Sequence, residues 1–124
     1  MTKILMLGLL AHIIGDWFLQ SDWIANYKSD VKSPAGYLHA GIHFCCLMFF
    51  WSLGNVGSVL PRFGWALLIS VLHWIIDLRF VLVKWRDLLH QTTEGPVALH
   101  VAIWQDQMAH LIVLINVAYL MFNL

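Results

Sequence analysis

The sequence predicts an all-α integral-membrane fold, a single transmembrane domain built as a four-helix bundle in up-down-up-down order. Three observations predict it. Hydrophobic residues fill 60% of the 124 positions and charged residues only 11%, with a mean hydropathy of +0.75, far from the soluble average. Four apolar segments, at residues 3–23, 35–53, 64–85 and 97–123, alternate with polar or glycine-bearing connections. Each segment also carries one polar pair spaced i to i+4: His12/Asp16, His39/His43, His73/Asp77 and Asp106/His110. That spacing sets both members of a pair on one helical face.

The first segment follows a positive start and is apolar except for His12, Asp16 and Gln20, which form one polar stripe. A signal peptide would have an unbroken apolar stretch and a small-residue cleavage site, so this segment is read as a retained helix. Gly8, Ala11 and Gly15 let a neighbouring helix approach closely. Residues 21–34 turn polar, as a loop or short interfacial helix with Trp23 and Tyr27 at headgroup level. The second segment is close to the lower limit of about 17 residues for a span. His39, His43 and Cys46 share one of its faces, and the adjacent Cys45 points away, which argues against a disulfide between the two cysteines. GNVGSVLP, residues 54–61, is a tight connection. The third segment carries His73 and Asp77 on one face and Arg79 on another, and residues 86–96 form a polar loop. The fourth holds His100, Asp106, Gln107 and His110 in its first half.

Lys28, Lys32, Lys84 and Arg86 gather at the first and third connections, against Lys3 and Arg62 on the other side. The positive-inside rule then sets those two connections in the cytoplasm and both termini outside. In an up-down-up-down bundle the four polar pairs fall on one side of the midplane, roughly 5 to 20 Å from the first- and third-connection surface at 1.5 Å of rise per residue. They can form one layer.

Such a layer needs compensation, because an Asp at the centre of a membrane helix costs about 2.5 to 3.5 kcal/mol on insertion scales. Divalent metal supplies it. A single ion uses about four ligands, so the eight residues His12, Asp16, His39, His43, His73, Asp77, Asp106 and His110 fit two divalent ions bridged by hydroxide. Neutral imidazole and carboxylate suit zinc first, with manganese or iron also compatible. Two such ions lower the pKa of bound water and polarise a phosphoryl or carbonyl oxygen, which is hydrolytic chemistry. Asp16 and Asp106 are the carboxylates assigned to the reaction itself. Gln20, Gln107 and Arg79 are assigned as hydrogen-bond partners of ligands or as substrate contacts. The expected activity is a metal-dependent hydrolase acting on an amphiphilic or lipid-linked phosphoester or acyl group.

The ordinary reading of one buried His/Asp pair is a helix–helix hydrogen bond, and that of Arg79 and the loop lysines is snorkelling or topogenic charge, against a sharper reading in which Arg79, Lys28 and Lys84 at the cytoplasmic rim bind an anionic head group. Four pairs at one depth favour metal. Cys46 is a ninth candidate ligand beside its packing role, His100 an outer contact and His90 a loop histidine. Two other function classes stay open. Short loops suit a metal-stapled accessory protein or ion carrier, and intramembrane histidines suit a di-iron oxidoreductase. Haem would leave three aspartates without purpose. Zero net charge and the lack of a dense basic cluster exclude nucleic acid as a partner, leaving the bilayer, an amphiphilic substrate and a second copy of the chain.

The stretch LLAHIIGDWFLQ resembles the N-terminal signature of a family of small bacterial and phage integral-membrane proteins of unassigned function, with a Gly-Asp-Phe-x-x-Gln core. Gly15, Asp16 and Gln20 match, and Trp17 stands in the Phe position. LHAGIH, the His73/Asp77 pair and DQMAH are similar to that family's later motifs, so the resemblance spans nearly the whole chain. It implies a multi-pass inner-membrane protein and carries no activity with it. A looser similarity, in fold style and intramembrane His/Asp pairs, is to the membrane-bound metal-dependent hydrolases.

Overall fold

The structure is a computed structural model that describes residues 1–91 and 94–124. The chain is all-α, and no strand occurs among the described residues. Local sequence signals set most helix ends. Helix α3 (Pro34–Leu53) opens on Pro34, whose missing N–H costs nothing in the first turn, while the Ser33 hydroxyl accepts from the Ala35 N–H at 3.2 Å. Helix α4 (Val59–Asp77) likewise takes Pro61 into its first turn. It therefore starts five residues before the expected position 64, and the connection shortens to residues 54–58. Helix α6 (Pro96–Asn123) follows Gly95, which takes φ +81° just before the opening proline.

Two expected helices are interrupted. The first segment does not run unbroken to residue 23: helix α1 (Thr2–Ile13) widens into a π turn (Ile14–Phe18), closed by the Leu19 N–H on the Ile14 carbonyl at 3.0 Å, and then stops. Ser21 caps a separate short helix, α2 (Asp22–Tyr27), by accepting from the Ile24 N–H. The third segment ends at Asp77 rather than at residue 85. Arg79 takes a left-handed conformation, φ +60°, and its N–H returns to the Ile76 carbonyl at 2.8 Å. Helix α5 (Phe80–Leu88) leaves in a new direction and occupies the start of the expected polar loop.

Three helices, α3, α4 and α6, are long and apolar enough to cross a membrane, with mean hydropathies of 1.3, 1.6 and 1.3 over their best windows. At 1.5 Å per residue α3 and α4 match a hydrocarbon core of about 30 Å, and the 28-residue α6 is longer than it. Helix α1 packs on α3 and α6, and α4 packs on the same two, so the four enclose a common interior. Trp51 Nε1 donates to the Ile4 carbonyl at 3.1 Å while His43 lies on His12, which makes α1 and α3 antiparallel. Small residues permit these approaches: a Cβ on Gly15 would stand 3.3 Å from the His43 ring.

The interior has two unlike ends. Towards one end Ala11, Leu47, Trp51, Ala66, Ile69, Leu114 and Val117 form an apolar core. Arg62 closes it below, donating to the Val56 carbonyl at 2.8 Å, the Gly57 carbonyl at 2.7 Å and the Ser52 hydroxyl at 2.5 Å. Towards the other end the buried residues are almost all polar. The surface is oily, with Phe49, Leu60, Leu67, Ile112 and Phe122 exposed. A polar interior inside an apolar surface is the arrangement that lipid, rather than water, stabilises.

Candidate metal centre

Four elements deliver the polar layer. Helix α1 carries His12, the π turn Asp16, helix α3 His39 and His43, helix α4 His73 and Asp77, and helix α6 Asp106 and His110. All eight are buried. The π turn matters here because its extra residue per turn rotates the side chains beyond it, and Asp16 sits in its middle.

His73 is the hub of five imidazoles. Its ring stacks on His43 with centroids 4.1 Å apart and also contacts His12, His39 and His110. Its Nε2 lies 3.0 Å from His39 Nε2, 3.3 Å from Asp16 Oδ1 and 3.1 Å from Asp77 Oδ2. His39 Nε2 in turn lies 3.1 Å from Asp16 Oδ1 and 3.4 Å from Asp77 Oδ2. Ligands about 2.0 to 2.1 Å from a tetrahedral ion are separated by about 3.3 to 3.4 Å; these five spacings are near that value, and His39, His73 and Asp77 form a group whose ligand atoms all lie within 4.8 Å of one another, with Asp16 Oδ1 beside it. Both Asp16 oxygens and Asp77 Oδ2 are buried with no aligned hydrogen-bond donor. An unmet buried carboxylate is costly, and a cation among the four atoms removes the cost.

A second group adjoins the first. His12, Asp16, His43 and His73 each offer a ligand atom within 4.8 Å of the others, as do His39, His73 and Asp77. His12 Nδ1 is 3.2 Å from His43 Nε2, and His12 Nε2 is 3.6 Å from Asp16 Oδ2. Asp16 thus turns one oxygen to each group. A cavity of about 10 Å³ between His12, His43, His73 and His110 is about the size of one water or ion.

The remaining assigned residues fall elsewhere. His110 stands at the edge: its Nδ1 faces the Asp106 carbonyl at 2.8 Å, and its Nε2 faces the His73 carbonyl at 3.4 Å and lies 3.9 Å from Asp77 Oδ1. The Asp106 carboxylate joins neither group among the described residues; Oδ2 accepts from Gln107 and Oδ1 has no partner. Gln107 also accepts from His12 Nε2 at 3.4 Å and so links Asp106 to the cluster. Cys46 packs in the apolar core, away from the layer, and His90 and His100 are exposed.

Lys28 is the residue that sequence reasoning missed. Read from the sequence as a topogenic charge or head-group contact at the cytoplasmic rim, it is instead buried, with Nζ 2.7 Å from Asp77 Oδ1. Its only signal was indirect: three aspartates in apolar segments with too few cations beside them.

Beside the cluster lies a cavity of about 250 Å³, bounded by the π turn, α2, α5 and α6. Asp16 lines it, and so do Gln20, Lys28, Arg79, Arg86, Asp106 and Gln107. Asp16 is therefore common to the metal-binding group and to the cavity wall.

No match was found among curated proteins or among solved structures. A family model does match residues 4–124, almost the entire chain, and this protein belongs to the family described as protein of unknown function (DUF3307).

Proposed function

We propose that the protein is a membrane-embedded, metal-dependent hydrolase acting on an amphiphilic phosphoester. One observation carries the reading: Asp16 belongs both to the metal-binding cluster and to the wall of the 250 Å³ cavity, so a substrate in that cavity reaches the centre directly. In this reading α1 with its π turn is the fourth crossing, completing a single up-down-up-down domain with the α2 and α5 end in the cytoplasm and both termini outside.

His39, His73, Asp16 and Asp77 would hold one divalent ion, and His12 and His43 with Asp16 would hold a second, zinc being the first choice. Bound ions supply an activated water and a polarised phosphoryl oxygen. The chain does the rest. His110 is oriented by the Asp106 and His73 carbonyls, one at each ring nitrogen. Gln107 holds His12 and Asp106 in register. Asp106, with its bare Oδ1 on the cavity, accepts a proton from the attacking water. The apolar core beneath excludes bulk water from the layer.

The arrangement suits a carrier poorly, because Trp51 and Arg62 close the end opposite the cavity. A short-chain phosphoester incubated with purified protein in neutral detergent tests the proposal, alongside elemental analysis. Turnover that is lost on chelation and restored by metal is expected. A protein that purifies without metal and binds none on titration would sink it.

A further inference from the structure

Two arginines share the cavity wall with Asp16 and Asp106 yet close no ion pair with either among the described residues. Arg79 and Arg86 lie seven residues apart, two turns along one face of α5, and both line the cavity. Neither takes part in an ion pair among the described residues, and Arg86 Nε is buried with no hydrogen-bond partner. The third cation of the wall, Lys28, is already spent on Asp77. Gln20 Oε1, on the same wall, is also buried and unpartnered. Polar atoms left bare inside a protein are where a ligand makes its contacts.

The backbone at Arg79 strengthens this. A left-handed residue closing a helix is ordinarily glycine, and an L side chain there costs about 1 to 2 kcal/mol. Arginine gains nothing from that geometry in the bundle itself, since its side chain is exposed and pairs with nothing among the described residues. Strain of this kind persists where a side chain must be presented to a ligand. Helix α5 also begins at Arg79 with no side chain capping its first turn, which adds the positive end of a helix dipole to the same wall.

We infer that this cavity is a phosphate-binding subsite, with Arg79 and Arg86 as its anchors and the head of an amphiphile as its occupant. Guanidinium groups match phosphate oxygens in a planar fork. The volume, about 250 Å³, is below the roughly 300 to 1,000 Å³ usual for a whole small-molecule ligand, so it takes a head group and leaves the remainder outside. Part of the lining is oily: Leu82 lies between the two arginines on α5, and Trp17, Leu99 and Ile103 run from the cavity onto the exposed surface, where a lipid tail would continue. The inference deepens the hydrolase reading by choosing phosphate over acyl chemistry, but the binding itself does not depend on turnover.

Calorimetric titration of the full chain in neutral detergent tests it, with dihexanoyl phosphatidic acid, inorganic phosphate and dihexanoyl glycerol as probes, before and after chelation. Saturable binding of the lipid phosphate is expected, with Arg79→Gly and Arg86→Gln each weakening it at least about tenfold at unchanged metal content. Arg79→Gly suits the left-handed backbone, so its loss of binding cannot be put down to misfolding. Weaker binding of inorganic phosphate assigns the site to a lipid head group; equal binding assigns it to the free anion, against an amphiphilic occupant. Variants that bind like the parent, or a neutral glycerolipid that binds as well, would overturn the subsite. Binding that survives chelation in a protein without turnover would leave the subsite standing and remove the hydrolase reading; turnover with indifferent arginine variants would do the reverse.

Discussion

Lys28 Nζ sits 2.7 Å from Asp77 Oδ1, deep under α2, while the other oxygen of Asp77 faces His39 and His73. One carboxylate is thus shared between a permanent cation of the chain and the metal-binding group. With Lys28 counted, the three buried aspartates leave a formal charge of −2, so two divalent ions call for an anionic substrate to complete neutrality. Removing the ammonium by Lys28→Met should destabilise the metal-free protein by about 3 to 5 kcal/mol and the loaded protein by clearly less. Unfolding in detergent with and without chelator measures both, and equal losses would show that Lys28 and the cluster are independent.

The same contact depends on Gly36. A Cβ there would stand 2.8 Å from the Lys28 carbonyl and 3.0 Å from Trp74 Nε1, so Gly36→Ala must push the end of α2 off α3. A loss of about 1 to 3 kcal/mol is expected. Because the shift also draws Lys28 from Asp77, the loss should fail to add to that of Lys28→Met in a double-mutant cycle; simple additivity would contradict it.

His73 contacts all four other histidines of the layer and belongs to both ligand groups. His73→Ala should weaken metal binding by more than about 100-fold, whereas His100→Ala, at an exposed position, should leave it unchanged. Competition with a chromophoric chelator reads both. Equal metal affinity in the two variants would refute the ligand assignment.

Asp77 and Asp106 separate binding from chemistry. Asp77→Asn should lower metal content, because its Oδ2 faces His39 and His73. Asp106→Asn should keep the metal and slow turnover by about 10² to 10⁴, the usual worth of a positioned proton acceptor. Loss of metal in both variants would return Asp106 to the ligands.

At the far end, Arg62 holds two carbonyls and a hydroxyl. Arg62→Met should cost about 3 kcal/mol of stability without altering metal content. A fall in metal content there would mean that the two ends of the bundle are coupled.

The His/Asp layer was legible because i,i+4 spacing is a property of a helix alone, and His12, His39, His43, His73 and Asp77 reach one centre without any help from loops. The ends of α3 and α6 were legible for a similar reason, since Ser33-Pro34 and Gly95-Pro96 are local signals. The breaks were not. Arg79 takes a glycine's conformation with no glycine to announce it, and the π turn at residues 14–18 lies in a run that also reads as plain α-helix. Lys28 was hidden by its own length: a flexible stem lets a residue of a polar connection enter the core, and no periodicity encodes that. Asp106 lies on the wall of a cavity shared with the π turn, α2 and α5, and helical spacing does not contain that relation between elements.

Trp51 and Arg62 seal one end of the bundle, and the cavity opens at the other. For a protein within a bilayer this makes the two leaflets unequal. On the proposed function, a lipid-borne substrate would arrive from the leaflet beside α2 and α5, and its product would depart into that same leaflet. The reaction would then change the composition of one monolayer while leaving its opposite untouched, and any transfer of the product between leaflets would fall to a different molecule.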